Sequence, residues 1–217
     1  MKRLPALLVT LLLTFSLPAQ AGETPRQAAI ATAHPAATVA ALETLAAGGN
    51  AFDAAVAASA ALAVVEPYGS GLGGGGFFLL RIAGDPPGYR FLDAREQAPR
   101  AASAQMYRQQ PERSLDGALA AGIPGLPAAL VDLSERYGRL PLSASLAPAI
   151  RLAEDGFPVD RIYQERAGWR LKALSRDPES ARIFLARGEI PEEFSLIRQP
   201  QLAGTLKRLA ASGHDGF

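Results

Sequence analysis

The sequence contains no cysteine, and this absence excludes several kinds of chemistry together. A chain without cysteine forms no disulfide, and it offers neither a thiol nucleophile nor a thiolate ligand for a metal ion. Histidine is nearly as scarce, because His34 and His214 are the only two and they lie far apart. Neither histidine has carboxylates beside it at the spacing of a metal-binding motif. We therefore expect no metal site and no bound cofactor.

Neither sign of charge dominates, since 22 lysines and arginines stand against 21 aspartates and glutamates, for a formal net charge of +1. The basic residues are scattered and form no run like a basic tail. Such a balance provides no extended field to attract nucleic acid or an anionic membrane. Nucleic acid is therefore not expected as a partner. Hydrophobic residues make up 48% of the sequence, which is enough to bury a core.

The one long apolar run lies at the N-terminus. Two basic residues precede a nearly continuous apolar stretch at residues 4–17, which is followed by an Ala-Gln-Ala site ending at Ala21. This order is typical of a secretory signal peptide, here residues 1–21. A membrane anchor is the alternative, but the run is short for a hydrocarbon layer of about 30 Å. We expect an exported protein, periplasmic or secreted, whose mature part, residues 22–217, has no stable membrane insertion.

Apolar spacing in the mature part predicts an α+β protein that is mostly helical, with one hairpin. Apolar residues with a period near 3.6 indicate the helices, and Asn50 and Asp160 are predicted to cap two of them. Two short apolar runs joined by Asp-Pro-Pro-Gly predict the hairpin. A hairpin by itself is marginal in water, so its strands need partners that this chain does not obviously supply. The predicted helices are one through Val39, Leu42 and Leu45, then residues 52–65, 126–137, 147–155 and 160–174, and one through Leu202, Leu206 and Leu209; the predicted strands are residues 77–82 and 89–93.

A glycine-rich segment after the second predicted helix matches a nucleotide-binding fingerprint in its letters but not in its context. Gly71, Gly73 and Gly76 fit G-x-G-x-x-G, and Asp93 lies near the place of a ribose-binding acid. That fingerprint requires a strand before the glycines and a helix after them, so that the pyrophosphate meets a helix N-terminus. Here the predicted order is reversed, so we reject nucleotide binding and expect a tight backbone passage. No G-x-S-x-G elbow is present for a serine hydrolase either.

Arg95 directly follows the second predicted strand, in the segment LDAREQAP at residues 92–99. An arginine at a strand end can hold a carboxylate through two parallel hydrogen bonds, a geometry that lysine cannot reproduce. The alternative is a partly solvated arginine paired with Glu96 or Asp93, as in most surface ion pairs. From the local sequence alone the second interpretation is favoured.

Six blocks, in the same order, resemble the γ-glutamyltransferase (γ-glutamyltranspeptidase) family. The most characteristic is GGNAFDAAVA at residues 48–57, which is similar to the family signature GGNA-x-DAAVA. Blocks in family order from about His34 to Phe217 are much more specific than any single block. The chain is therefore identified as similar to the N-terminal part of the family's large subunit. The other blocks are VEP at 65–67 with SGLGGGGF at 70–77, DAREQAP at 93–99, GIPG at 122–125, YG at 137–138 and LAPAI at 146–150.

This resemblance implies part of an N-terminal-nucleophile hydrolase fold, with layers of helix, sheet, sheet and helix to which the hairpin contributes. Family precursors, which are zymogens, cleave themselves into a large and a small subunit. The new N-terminal threonine of the small subunit attacks the γ-glutamyl amide of glutathione or a related compound, and water or an acceptor amine resolves the intermediate. By this resemblance Arg95 is the substrate-binding residue that holds the α-carboxylate, which reverses the local interpretation.

The same resemblance places the catalytic residue outside these 217 residues. The processing site, the threonine and the oxyanion donors come later in the family than the segment that is matched here. We therefore expect a truncated large subunit with no catalytic residue in this chain, inactive by itself. Its expected partners are γ-glutamyl small molecules such as glutathione and the missing remainder of the precursor, including the small subunit.

Two other interpretations remain open from the sequence. The chain could be a non-catalytic exported module that binds γ-glutamyl compounds, or part of a related acylase that acts on a glutaryl side chain. Arg95 can hold either acid because both present a carboxylate, so this segment does not separate them.

Overall fold

The structure is a computed structural model that describes residues 28–217. The predicted signal peptide, residues 1–21, lies outside the described residues, and so does the predicted start of the mature chain at residue 22. Within residues 28–217, no helix combines the length and the hydropathy needed to cross a bilayer.

Seven α-helices and two small antiparallel sheets make up the described part of the chain. The first sheet is a hairpin, and the second joins two strands of two residues each. The α+β class and the single substantial hairpin predicted from the sequence are thereby confirmed. In chain order the elements are α1 (Pro35–Ala46), α2 (Ala51–Val65), β1 (Gly76–Ile82), β2 (Gly88–Ala94), α3 (Leu126–Tyr137), α4 (Leu142–Asp155), β3 (Phe157–Pro158), α5 (Arg161–Leu174), α6 (Pro178–Phe184), β4 (Leu196–Ile197) and α7 (Pro200–Ser212).

The helix α2 lies at the centre of the core. Its Val56, Ala60 and Val64 are fully buried, and the helix contacts α1, α3 and α4. A helix that is apolar on every side is normally surrounded, and small alanine side chains let its neighbours approach closely. The helix α7 covers another side of α4, where Leu206 and Leu209 are fully buried. The core is therefore built mainly from helix-on-helix packing.

Side-chain caps fix the beginnings of several helices. The Asn50 side chain accepts hydrogen bonds from two backbone N–H groups in the first turn of α2, at 2.8 and 3.1 Å. The Asp160 carboxylate accepts one from the Tyr163 N–H at 2.7 Å. Both predicted caps are confirmed. His34 also has a local structural role, because its Nδ1 accepts the Ala36 N–H at 3.1 Å and so caps α1.

Two helices differ from the prediction. The helix α4 begins at Leu142 instead of Ala147 and continues through Pro148. Proline favours the first turn of a helix, so the prediction placed Pro148 there. In the structure Pro148 lies inside α4, where it has no N–H group to donate to the Ala144 carbonyl oxygen. The helix α6 was missed because it has only seven residues and no apolar stripe to reveal it.

The hairpin has one buried face and one open face. In its register Phe77 lies opposite Asp93, and Leu79 lies opposite Phe91. Phe77, Leu79 and Phe91 are exposed, whereas Leu80 on the other face is buried in the core. Among residues 28–217, β1 and β2 pair only with each other. The hairpin therefore leaves an apolar face uncovered and its backbone edges unpaired.

Candidate substrate-binding site at Arg95

Arg95 is the first residue after β2, at the point where the chain leaves the hairpin. Its backbone N–H donates a hydrogen bond to Asp93 Oδ1 at 3.0 Å, so the aspartate side chain holds the turn at the strand end. The Arg95 side chain extends from this turn with 61% of its surface exposed. The structure thus places Arg95 at a strand end as expected, while its binding of a carboxylate stays a prediction.

Two neighbouring side chains restrain the guanidinium group of Arg95. Its Nε lies 3.1 Å from Glu96 Oε2, and its Cζ lies 5.7 Å from the centroid of the Phe77 ring. The ion pair engages one edge of the group, and the aromatic face adds a weak cation–π attraction. The fork of the two Nη nitrogens is the geometry that grips a carboxylate. The pairing with Glu96 that the local sequence favoured is therefore compatible with substrate binding.

Two glycines pack closely against the backbone at Arg95. A Cβ atom at Gly75 would collide with the Ala94 carbonyl oxygen and would lie 2.9 Å from the Arg95 Cα. A Cβ atom at Gly125 would collide with the same carbonyl oxygen. The Gly125 N–H also donates to the Gly74 carbonyl oxygen at 3.1 Å, which joins the two glycine segments. The backbone at Arg95 is thus held by contacts that only glycine permits.

The glycine segment, residues 69–76, connects the end of α2 to the start of β1. The order of elements is helix, glycines and strand, the reverse of the dinucleotide fingerprint. The predicted order is confirmed, and with it the reason for rejecting that motif.

The variant Gly75→Ala is expected to destabilise the protein by about 1–3 kcal/mol, the usual cost of forcing a methyl group into filled space. Chemical unfolding followed by circular dichroism measures the difference. Gly73→Ala is the matched control, because a Cβ atom there meets nothing within 4 Å. Equal stability of the two variants would contradict the close packing described for Gly75.

An open cavity of about 610 Å³ lies beside Arg95. Its wall is formed by residues 95–99, which follow β2, and by residues 102–104, 106–107 and 120–122. Gln97, one of the lining residues, pairs with Ile123 through backbone hydrogen bonds of 3.0 and 2.8 Å. The volume falls in the usual range of ligand pockets, about 300–1,000 Å³. The charged residues of the described wall are Arg95 and Glu96, which form an ion pair through Nε of Arg95, so the two Nη nitrogens are the groups that face an anionic ligand.

The described residues around this cavity present no assembled nucleophile and base. Ser103 and Tyr107 supply the hydroxyl groups of the wall, and the Tyr107 hydroxyl is already bonded to a backbone carbonyl. His34 caps α1, and His214 Nε2 lies 3.6 Å from Asp132 Oδ1 near the last helix. Within residues 28–217, no cluster of His, Asp and Glu could hold a metal ion. Among the described residues, this part of the site therefore offers a guanidinium group but no group activated for attack.

The GGNAFDAAVA segment has a structural role that sequence reasoning missed. Asp53 is fully buried, and its carboxylate accepts N–H groups from Asn50 at 2.8 Å, Arg139 at 2.9 Å and Leu140 at 3.3 Å. The Asn50 side-chain amide donates to the Tyr137 carbonyl at 2.6 Å. The segment therefore ties the start of α2 to the turn between α3 and α4. An acid three residues after an Asn cap signals a capping box, but the contact with a turn 86 residues away carries no such signal.

Comparison with known proteins identifies relatives over nearly the whole described chain. Residues 37–217 match the model of a protein family described as gamma-glutamyltranspeptidase. A glutathione hydrolase proenzyme of Pseudomonas aeruginosa is 42% identical over 183 residues, which cover 82% of this chain and 31% of the relative. An oxamate amidohydrolase proenzyme of Klebsiella pneumoniae is 40% identical over 191 residues, which cover 85% of this chain and 36% of the relative. The crystal structure of Helicobacter pylori gamma-glutamyltranspeptidase aligns with a TM-score of 0.82 and 34% identity, covering 89% of this chain and 58% of that one.

The fold and this structural neighbour define part of an N-terminal-nucleophile hydrolase. The chain belongs to the γ-glutamyltranspeptidase family, a family of enzymes, and corresponds to the N-terminal part of the large subunit. It spans about a third of the length of the curated relatives that it matches. The resemblance and the partial fold predicted from the sequence are thus confirmed.

Proposed function

We propose that this chain is the part of a γ-glutamyltransferase (glutathione hydrolase) that binds the substrate carboxylate. The observation that carries the proposal is Arg95, whose backbone is locked by glycines at a strand end beside an open cavity. Its guanidinium group would hold the α-carboxylate of a γ-glutamyl compound such as glutathione through two parallel hydrogen bonds. Family membership supports this assignment, since the relatives include glutathione hydrolases.

The chemistry requires a nucleophile, which we place in the remainder of the precursor. There the α-amino group of an N-terminal threonine takes the proton of its own hydroxyl, and the oxygen attacks the γ-carbonyl carbon. The amine leaves with a proton as a γ-glutamyl ester forms, and water or an acceptor amine then cleaves that ester. Arg95 transfers no proton in this scheme. Its contribution is to fix the substrate so that the γ-carbonyl group meets the nucleophile.

The remainder of the precursor, including the small subunit, is the proposed macromolecular partner. The exposed hairpin face supports this, because Phe77, Leu79, Tyr89 and Phe91 form an apolar surface with unpaired strand edges beside it. Such surfaces in native proteins are normally covered. In a layered fold of helix, sheet, sheet and helix, a second sheet would pack on this face. Residues 22–217 are accordingly expected to fold poorly without their partner.

The complete protein is proposed to be exported, to the periplasm or the medium, after removal of residues 1–21. The basic start, the short apolar run and the Ala-Gln-Ala site support this location. The Pseudomonas aeruginosa and Klebsiella pneumoniae relatives are both proenzymes by name, which is compatible with a precursor that is activated by cleavage.

A second candidate function is the hydrolysis of an amide of a different small acid. The Klebsiella pneumoniae relative, an oxamate amidohydrolase, is 40% identical to this chain, close to the 42% of the Pseudomonas aeruginosa glutathione hydrolase. A glutaryl-type acylase belongs to the same category. Arg95 would bind the carboxylate of oxamate, of a glutaryl group or of a γ-glutamyl group in the same way.

A substrate panel tests the proposal on the full-length protein, by which we mean this chain together with the remainder of its precursor. We expect γ-glutamyl-p-nitroanilide to release p-nitroaniline with kcat/KM at least about tenfold above that for glutaryl-p-nitroanilide, because the glutaryl compound lacks the α-ammonium group and would leave the polar groups of a γ-glutamyl site unpaired. No ammonia should be released from oxamate. Preference for oxamate or the glutaryl compound would favour the second candidate, and binding of glutathione without turnover would favour a non-catalytic module.

A further inference from the structure

A long excursion of the chain forms one side of the cavity at Arg95. Residues 100–121, here called the strap, leave the body of the protein after Gln97 and return to it at Ile123. Those two residues close the base of the excursion with a pair of backbone hydrogen bonds, 3.0 and 2.8 Å long. The strap contains only short 3₁₀ turns. Connections of this length without helix or strand are uncommon in compact domains and often have a function.

The two arms of the strap meet beside the cavity. Met106 and Tyr107 come from its first half, Ala120 and Ala121 from its second half, and all four line the cavity next to Arg95. The Tyr107 hydroxyl donates a hydrogen bond to the Leu119 carbonyl oxygen, which joins the two arms. The position of the strap therefore decides the shape of the wall that faces the guanidinium group.

One ion pair attaches the outer end of the strap to the rest of the described protein. The Asp116 carboxylate accepts a hydrogen bond and forms an ion pair with the Arg170 guanidinium group on α5. Among the side-chain hydrogen bonds and ion pairs of residues 28–217, this pair alone joins the strap to a distant element. Arg170 lies on the same side of α5 as Tyr163 and Ala167, the two buried residues that attach this helix to the protein. Arg170 is thus an anchored group that holds an otherwise exposed loop.

We propose that the Asp116–Arg170 ion pair positions the strap as a wall of the γ-glutamyl-binding cavity. The inference rests on the proposed function, because it assigns the cavity beside Arg95 to the substrate. Asp116 and Arg170 are positioning residues in this account, and they touch neither the substrate nor the nucleophile. Loosening the strap should weaken substrate binding and leave the chemical step unchanged, so KM rises while kcat is preserved.

The test uses the full-length protein and γ-glutamyl-p-nitroanilide. We expect Arg170→Glu and Asp116→Lys each to raise KM about two- to fivefold, the range open to an exposed ion pair, with kcat unchanged. The double variant restores an attraction with the charges exchanged and should return KM toward the wild-type value. Lys207→Glu is the matched control. Its ion pair with Glu154 has side-chain exposures of 54% and 44%, against 56% and 44% for Arg170 and Asp116.

Hydrogen exchange of the strap amides provides a second measurement that does not depend on the substrate. Both single variants should exchange faster than the wild type within residues 100–121, and the double variant should recover protection. Unchanged KM in the single variants, a fall in kcat instead, or no recovery in the double variant would overturn the proposal. Wild-type protein that turns over no γ-glutamyl compound would refute the proposed function instead. In that case hydrogen exchange alone would test whether the Asp116–Arg170 ion pair holds the strap in place. Unaltered exchange of the strap amides in the single variants would show that it does not.

Discussion

Replacing Asp53 with alanine is expected to lower the free energy of unfolding of the full-length protein by about 3 kcal/mol. The carboxylate accepts three backbone N–H groups, from Asn50, Arg139 and Leu140, at a site with no solvent exposure. The variant removes all three acceptor contacts and leaves a space between α2 and the turn after α3. Urea unfolding followed by circular dichroism measures the loss.

Two further variants isolate the cause. Asp53→Asn keeps the volume but has only one acceptor oxygen, so it should be less stable than the wild type and more stable than Asp53→Ala. Asp177→Ala is the matched control, because Asp177 also accepts a backbone N–H at the start of its helix, at 2.8 Å, but is exposed. Asp177→Ala should lower the free energy of unfolding distinctly less than Asp53→Ala does. Equal losses at the two positions would contradict the importance assigned to burial of the Asp53 carboxylate.

Removal of the guanidinium group at Arg95 is expected to raise KM of the full-length enzyme for γ-glutamyl-p-nitroanilide about 100-fold. The substrate and the remainder of the precursor would cover the Arg95 side chain, which is 61% exposed in this chain. Truncating one partner of a buried hydrogen-bonded charge pair costs about 2–5 kcal/mol, and every 1.4 kcal/mol corresponds to about tenfold in binding. Because the reacting bond lies at the other end of the γ-glutamyl group, kcat should change much less than KM in Arg95→Ala. Steady-state kinetics separate the two constants.

The conservative variant and an unrelated arginine provide the controls. Arg95→Lys keeps the charge but loses the planar fork, so its KM should lie between those of the wild type and Arg95→Ala. Arg136→Ala removes an exposed arginine that pairs with Asp132 on α3, and its kinetics should match the wild type. A normal KM in Arg95→Ala would mean that the substrate carboxylate is bound elsewhere.

The elements with strong local signals were predicted from the sequence. The Ala-rich α2 is capped by Asn50 and is separated from α1 by Gly48 and Gly49. The helix α3 has a clear apolar face and ends at Gly138. Both appear with bounds within one residue of the prediction. The start of α4 was wrong because a proline normally belongs to the first turn, and here Pro148 lies inside the helix. The short polar α6 has no periodic pattern and was missed for that reason.

The site was only partly predictable, because its parts come together through contacts between distant segments. The sequence placed Arg95 at a strand end but favoured a surface ion pair until the family resemblance was considered. It contained no sign that Gly75 and Gly125 press on the same carbonyl oxygen, or that Asp116 reaches Arg170. Spacing along the chain reports on helix faces and turns, whereas these contacts depend on the packed fold.

We propose that this chain supplies the carboxylate-binding arginine and that the nucleophile lies in the remainder of the precursor. The most direct test compares residues 22–217 alone with the full-length protein in the release of p-nitroaniline from γ-glutamyl-p-nitroanilide. We predict release by the full-length protein and none above buffer by residues 22–217. Turnover by residues 22–217 alone, abolished in Arg95→Ala, would contradict the account, because a nucleophile would then lie within this chain.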